Sequence, residues 1–161
     1  METGRMNTQQ VSLDEKDLQI LRVLQENGKL SIREVASKVN LSPSPTQERI
    51  RRLENEGVIT QYGALLNPRK LGKGIIVICH VTIKEHNKHA AQAFIDKITS
   101  FKEVIECYNI AGDFDFMLKI ITDSMETYHH FFVNELSEVP NIGHTKSIFV
   151  MDVIKHTHQL L

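Results

Sequence analysis

The sequence predicts an α+β chain in two parts: a helical N-terminal part and a C-terminal part that alternates strands with helices. Three observations carry this. Apolar residues between 13 and 57 recur at helical spacing, between repeated helix start and stop signals. From residue 74 onward, β-branched runs alternate with amphipathic stretches. Between them, Asn67-Pro68 is a strong breaker. The expected organisation is a tail over 1–12, a helical domain over 13–57, a hinge strand and linker over 58–73, and a second domain over 74–161.

The elements follow in chain order. Ser12 with Glu15 reads as a capping box ahead of "DLQILRVLQENG", where Leu18, Leu21 and Leu24 repeat beside Ile20 and Asn27-Gly28 stops the helix. Ser31 with Glu34 reads as a second capping box, and Ile32, Val35, Ala36 and Val39 make one apolar face. Asn40-Leu41-Ser42 is a tight turn in which Asn40 can take a left-handed conformation. A third helix starts with Ser42 as N-cap, Pro43 in its first position and Pro45 in its third. The first four N–H groups of a helix have no partner within it, so these prolines stiffen the first turn without breaking it. The stretch 57–68, "GVITQYGALLNP", reads as extended.

In the second domain, strand 75–84 precedes helix 87–100, whose inner face is Ala91, Phe94, Ile95 and Ile98. Strands 104–110 and 114–121 are joined by "AGD". Phe114, Phe116, Leu118 and Ile120 alternate with a mixed set, Asp115, Met117, Lys119 and Ile121. Helix 124–138 presents Tyr128, Phe131, Phe132 and Leu136, Pro140 stops it, and strand 145–154 closes the order βαββαβ. That order is a ferredoxin-like sandwich, with both helices on one face of an antiparallel sheet. The other face keeps Ile121, Ile148 and Val150, which calls for a cover such as a partner subunit.

Composition bounds the function. At 41% hydrophobic and 24% charged, the 161-residue chain is globular. Its net charge of −1 means that DNA or membrane must be met by a local patch. The longest apolar run, "GIIVICHV" at 74–81, is too short to span a bilayer. The polar N-terminus lacks an apolar signal core, so the expected compartment is the cytoplasm. Cys79 and Cys107 sit inside apolar runs and read as buried thiols.

On the third helix, Thr46, Ile50, Leu53 and Gly57 share the packing face. Ser44, Glu48, Arg51, Arg52 and Asn55 lie opposite, with Gln47 and Arg49 on the flanks. A short helix, a three-residue turn and a helix with a rigid polar first turn make a helix-turn-helix of the winged-helix-like kind. Its second helix enters a major groove by its N-terminal residues. The expected DNA contacts are Ser42, Ser44, Pro45, Gln47, Glu48, Arg51 and Arg52, with Arg33 from the second helix. Lys29 and Lys38 are further phosphate candidates. The same helix also fits a solvated surface with Glu48–Arg52 as an i, i+4 pair, because residues 43–56 carry as many glutamates as arginines.

The stretch "LDEKDLQILRVLQENGKLSIREVASKVNLSPSPTQERIRRLENEGVITQYGALLNP" resembles the N-terminal half of the Lrp/AsnC family of feast/famine transcription regulators. "NIAGDFDFMLKI" resembles that family's C-terminal effector-sensing signature. The likeness runs from Leu13 onward and is nearest the leucine-responsive branch. It implies binding of double-stranded DNA and an amino acid effector, and a homodimer that assembles to a tetramer or octamer, with no cofactor. By match to the motif, the ligand loop is Ala111, Gly112, Asp113, Phe114 and Asp115. Gly112 suits close backbone approach, loop N–H groups suit a carboxylate, and an aspartate suits an α-ammonium. The expected effector is apolar, leucine or methionine. Three positions depart from the pattern: Asn40 for a usual Gly, Gln47 at a variable place, and "PNIG" for a Pro-Gly step.

Parts of the sequence also fit other functions. The chain's eight histidines include His86 with His89, His129-His130, and His156 with His158, none with a third ligand at zinc-like spacing. There is no phosphate-cradling loop and no nucleophile elbow. The alternatives are a sirohaem decarboxylase of the same architecture, to which His129-His130 would belong, and an amino-acid sensor without DNA binding.

Overall fold

The computed structural model describes residues 11–161, so the expected tail lies outside the described residues except for Val11 and Ser12. The chain forms two compact units. One runs to Leu65 and includes Lys155–Leu161; the other is Leu66–Ile154.

The first unit contains α1 (Glu15–Glu26), α2 (Ile32–Lys38) and α3 (Pro43–Asn55). They meet on Ile20, Leu21, Val35, Val39, Ile50 and Leu53. Full burial of such a side chain stabilises by roughly 1.5–3 kcal/mol, and helices this short need that packing to persist. Ser31 and Glu34 form the expected capping box. Asn40 is left-handed at φ 54°, as the turn required.

Two caps differ from expectation. The box at the head of α1 is Asp14 with Asp17, not Ser12 with Glu15. Asp17 N–H donates to Asp14 Oδ1 at 2.8 Å, and Asp14 N–H donates to Asp17 Oδ2 at 3.0 Å. The cause lies far along the chain, because Arg49 and Arg52 hold the Asp17 carboxylate. Ser42 is the N-cap of α3, but its hydroxyl makes no capping bond. The third helical position is Pro45, which has no N–H to offer. The Thr46 hydroxyl instead donates to the Ser42 carbonyl at 2.9 Å, beside the Thr46 N–H. The stretch after α3 forms no strand among the described residues, since this unit has no second strand to pair with it; a 3₁₀ turn at Arg69–Leu71 follows Pro68.

The second unit contains β1 (Ile75–Ile83), α4 (Lys88–Thr99), β2 (Val104–Asn109), β3 (Phe116–Thr122), α5 (Met125–Phe131, prolonged by a π turn to Leu136) and β4 (Ile142–Phe149). The sheet order is β2-β3-β1-β4, with every pairing antiparallel. This is the ferredoxin-like arrangement. Val77, Cys79, Val81, Phe116, Leu118 and Ile120 point to α4 and α5, where Phe94, Ile98, Phe131 and Leu136 meet them. On the other face, Ile76 pairs with Ile121, and Ile78 with Ile148. Ile148 is 41% exposed in the single chain.

β4 starts three residues earlier than read, and ends earlier too. Asn141, at φ 72°, turns the chain straight from the helix into the strand, and its carbonyl accepts from Lys84 N–H at 2.9 Å. At the far end, Val150 N–H still reaches the Ile76 carbonyl, but β1 offers little beyond it. β3 likewise starts at Phe116 rather than 114, because residues 111–115 are used for a loop. Gly143 of "PNIG" has a packing reason: a Cβ there would lie 2.8 Å from Thr82 Oγ1.

Candidate functional site

In the first unit, the candidate surface is the exposed side of α3. Ser44, Gln47, Glu48 and Arg51 line one shallow concavity there. Ser42 and Arg33 are also exposed, and Pro45 is half-buried. The apolar side of α3, through Thr46, Ile50 and Leu53, is buried against the other helices.

Arg52, expected among the DNA contacts, is held instead by Asp17. Arg49 lies beside it, with Nη1 2.6 Å from Asp14 Oδ2 and 2.7 Å from Asp17 Oδ1. Asp17 is fully buried. Burial pushes its carboxyl up, but the Asp14 N–H and the two guanidinium groups more than offset this, and its pKa falls below the usual 3.8. Asp14 is lowered too, first by the Asp17 N–H and then by Arg49. Lys16, between them, donates to the Val39 carbonyl at 2.6 Å, at the end of α2. One turn of α1 thus holds both other helices. Local spacing could not reveal this; the available sign was two aspartates at a helix start in a chain with arginines on a flank.

In the second unit, the signature loop joins β2 to β3. Ile110 N–H donates to the Asp115 carbonyl at 2.9 Å, and Asp115 N–H to the Val81 carbonyl at 3.0 Å. Gly112 has φ 139°, which L side chains rarely adopt, so the sequence needs glycine there. Ala111 and Asp113 are exposed. Asp115 is more engaged than expected: its Oδ2 accepts from Ile83 N–H at 2.8 Å, and its Oδ1 lies 3.5 Å from His86 Nδ1. It continues the β1–β3 ladder with a side chain. Phe114 stacks on His80 at 5.1 Å between ring centroids, and on His144 at 6.3 Å. His80 Nδ1 is buried without a hydrogen-bond partner. Sequence reasoning missed His80 and His144, since only the fold brings β1 and β4 beside the loop, and it weighed His86 only as a metal or surface residue.

The remaining chemistry is quiet. Burial pushes the Cys79 thiol up to about 11 and raises that of Cys107, so neither is a ready thiolate. No group of three metal-ligating side chains occurs among the described residues. His129 and His130 are exposed on α5.

The Lrp/AsnC ligand binding domain matches residues 76–160, and a winged helix-turn-helix DNA-binding domain matches residues 13–60. The chain belongs to the Lrp/AsnC family. It is 37% identical over 145 residues to a proline dehydrogenase transcriptional activator of Rhizobium radiobacter, covering 90% of this chain and 93% of that protein. It is 37% identical over 150 residues to the leucine-responsive regulatory protein of Haemophilus influenzae, covering 93% and 90%. Among solved structures, a transcriptional regulator of Neisseria meningitidis in complex with L-Met matches with a TM-score of 0.88 at 35% identity, over 93% of this chain and 97% of that one. An AsnC family regulator from Agrobacterium tumefaciens matches with a TM-score of 0.87 at 32% identity, over 92% and 97%. This Lrp/AsnC chain is a transcriptional regulator with a DNA-binding helix-turn-helix and a separate ligand-binding domain.

Proposed function

We propose that this regulator reads operator DNA through Ser42, Ser44, Pro45, Gln47, Glu48 and Arg51 of α3, with Arg33 on the approach, and that an amino acid effector tunes this binding. The effector is apolar, leucine or methionine, and binds at the Ala111–Asp115 loop. The observation that carries the reading is that loop: a glycine at φ 139°, exposed residues on either side of it, and an aromatic ring laid on the adjacent sheet. The relative solved with L-Met supports an amino acid of this class. The effector carboxylate takes loop N–H groups. Its ammonium takes Asp113, because the Asp115 carboxylate already serves Ile83 N–H and His86.

The protein acts in the cytoplasm as a homodimer that assembles further to a tetramer or octamer. The half-exposed Ile78, Ile121 and Ile148 face supports an apposed second copy. The whole acts by binding and not by catalysis, a reading supported by relatives named as a transcriptional activator and a regulatory protein. Calorimetry with L-methionine and L-leucine tests the effector site. Asp113→Ala should abolish heat of binding while operator binding without effector is retained. Unchanged amino acid binding would move the site elsewhere.

A further inference from the structure

The helix that faces DNA carries three arginines, Arg49, Arg51 and Arg52, and two of them are already taken. Both reach the same fully buried carboxylate on α1, and Arg49 reaches Asp14 as well. The bonds span 32 and 35 residues, so they fix α3 relative to α1. They also neutralise two charges beside Glu48, Pro45 and the groove-facing side. A DNA helix presents phosphates to every protein at every sequence, so a free arginine on this face would add affinity without discrimination.

We propose that Asp14 and Asp17 are specificity-determining residues: they hold Arg49 and Arg52 off the phosphates, and so leave base reading by the exposed face of α3 to decide where the protein binds. This rests on the reading of α3 as the DNA-contacting helix. The aspartates touch no DNA. They act by what they withhold and by the helix angle they fix. The arrangement also divides the roles on a recognition helix whose net charge is only +1 over Pro43–Asn55. Its arginines are divided between one that faces outward, Arg51, and two that tie the domain together.

The test uses the full-length chain, a duplex selected by the wild-type protein from a random library, and a scrambled duplex of equal composition. Binding is measured by fluorescence anisotropy across salt concentrations. Asp17→Asn keeps an oxygen to accept from Asp14 N–H and removes the charge. Asp14→Asn keeps a good N-cap and loosens Arg49 alone, so a fold-intact variant remains if Asp17→Asn melts. Each freed arginine should steepen the salt slope on the scrambled duplex by about 0.9, which is about eightfold tighter binding at 0.1 M salt. The selected duplex should gain less, so its preference shrinks; Asp17→Glu should restore part of it. Equal gains on both duplexes would overturn the claim about discrimination. Weaker binding to both duplexes with unchanged slopes would reduce the aspartates to fold stabilisers. Wild-type protein that selects no duplex would instead overturn the reading of α3.

Discussion

Asp17 and Asp115 do the same kind of work in different ways. Each is an aspartate that pins a working surface to the body of its unit. Asp17 is buried and met by two guanidinium groups from α3. Asp115 is half-buried and met by a backbone N–H and an imidazole. The first is a charge cluster, strong only while every member is present. The second is a hydrogen bond at a ladder end, which tolerates loss with a local change. On the proposed reading, the surface that meets DNA is tied by charged groups on two helices, while the loop proposed for the effector is tied by fewer bonds that a ligand could bias.

The sharpest way to break the comparison is to strip Asp17 of its partners. Arg49→Ala with Arg52→Ala leaves a buried carboxylate uncompensated and should cost about 3–5 kcal/mol, read by denaturant unfolding. Asp115→Ala should cost about 1–3 kcal/mol, from an unsatisfied Ile83 N–H, and should leave the first unit's unfolding unchanged. A larger loss at Asp115 than at the arginine pair would reverse the ranking. Arg51→Ala should leave stability within about 0.5 kcal/mol and still cost about 1–3 kcal/mol of operator binding, because it lies outside both clusters.

Acid sharpens the contrast further. The folded-state pKa values of Asp14 and Asp17 are depressed below 3.8, so their stabilisation is full above that value. It is lost as pH falls through the folded-state values. A weaker dependence is expected from the second unit, where Asp123, lowered by its hydrogen bond from Thr127, is exposed and the core on Val77, Leu118, Phe94 and Phe131 is apolar. Circular dichroism from pH 6 to pH 2 should therefore show the helical first unit failing first. Loss of the sheet before the helices would contradict this.

The outline was legible in the sequence because it is written in local patterns. Period-3.6 and period-2 runs placed the five helices and four strands found among the described residues, and the glycine-aspartate loop stood out only through the family resemblance. The ends were less legible. β4 was misplaced because its limits come from where β1 stops, not from its own residues. The α1 cap was misread because its strongest partners are more than thirty residues away. For the same reason Arg52 read as a free groove residue, and the histidines around Phe114 went unnoticed. Burial and long-range pairing decide such details, and neither has a local signature.

The account turns on coupling between the effector loop and α3. Its most direct test is an anisotropy titration of the selected duplex with and without saturating L-methionine or L-leucine. Allosteric coupling of ordinary size would shift the apparent affinity or the assembly's binding stoichiometry by about 5- to 150-fold with one of them. The same titration with Asp113→Ala should show no shift. Superimposable curves for the wild-type protein with and without both amino acids would contradict the account.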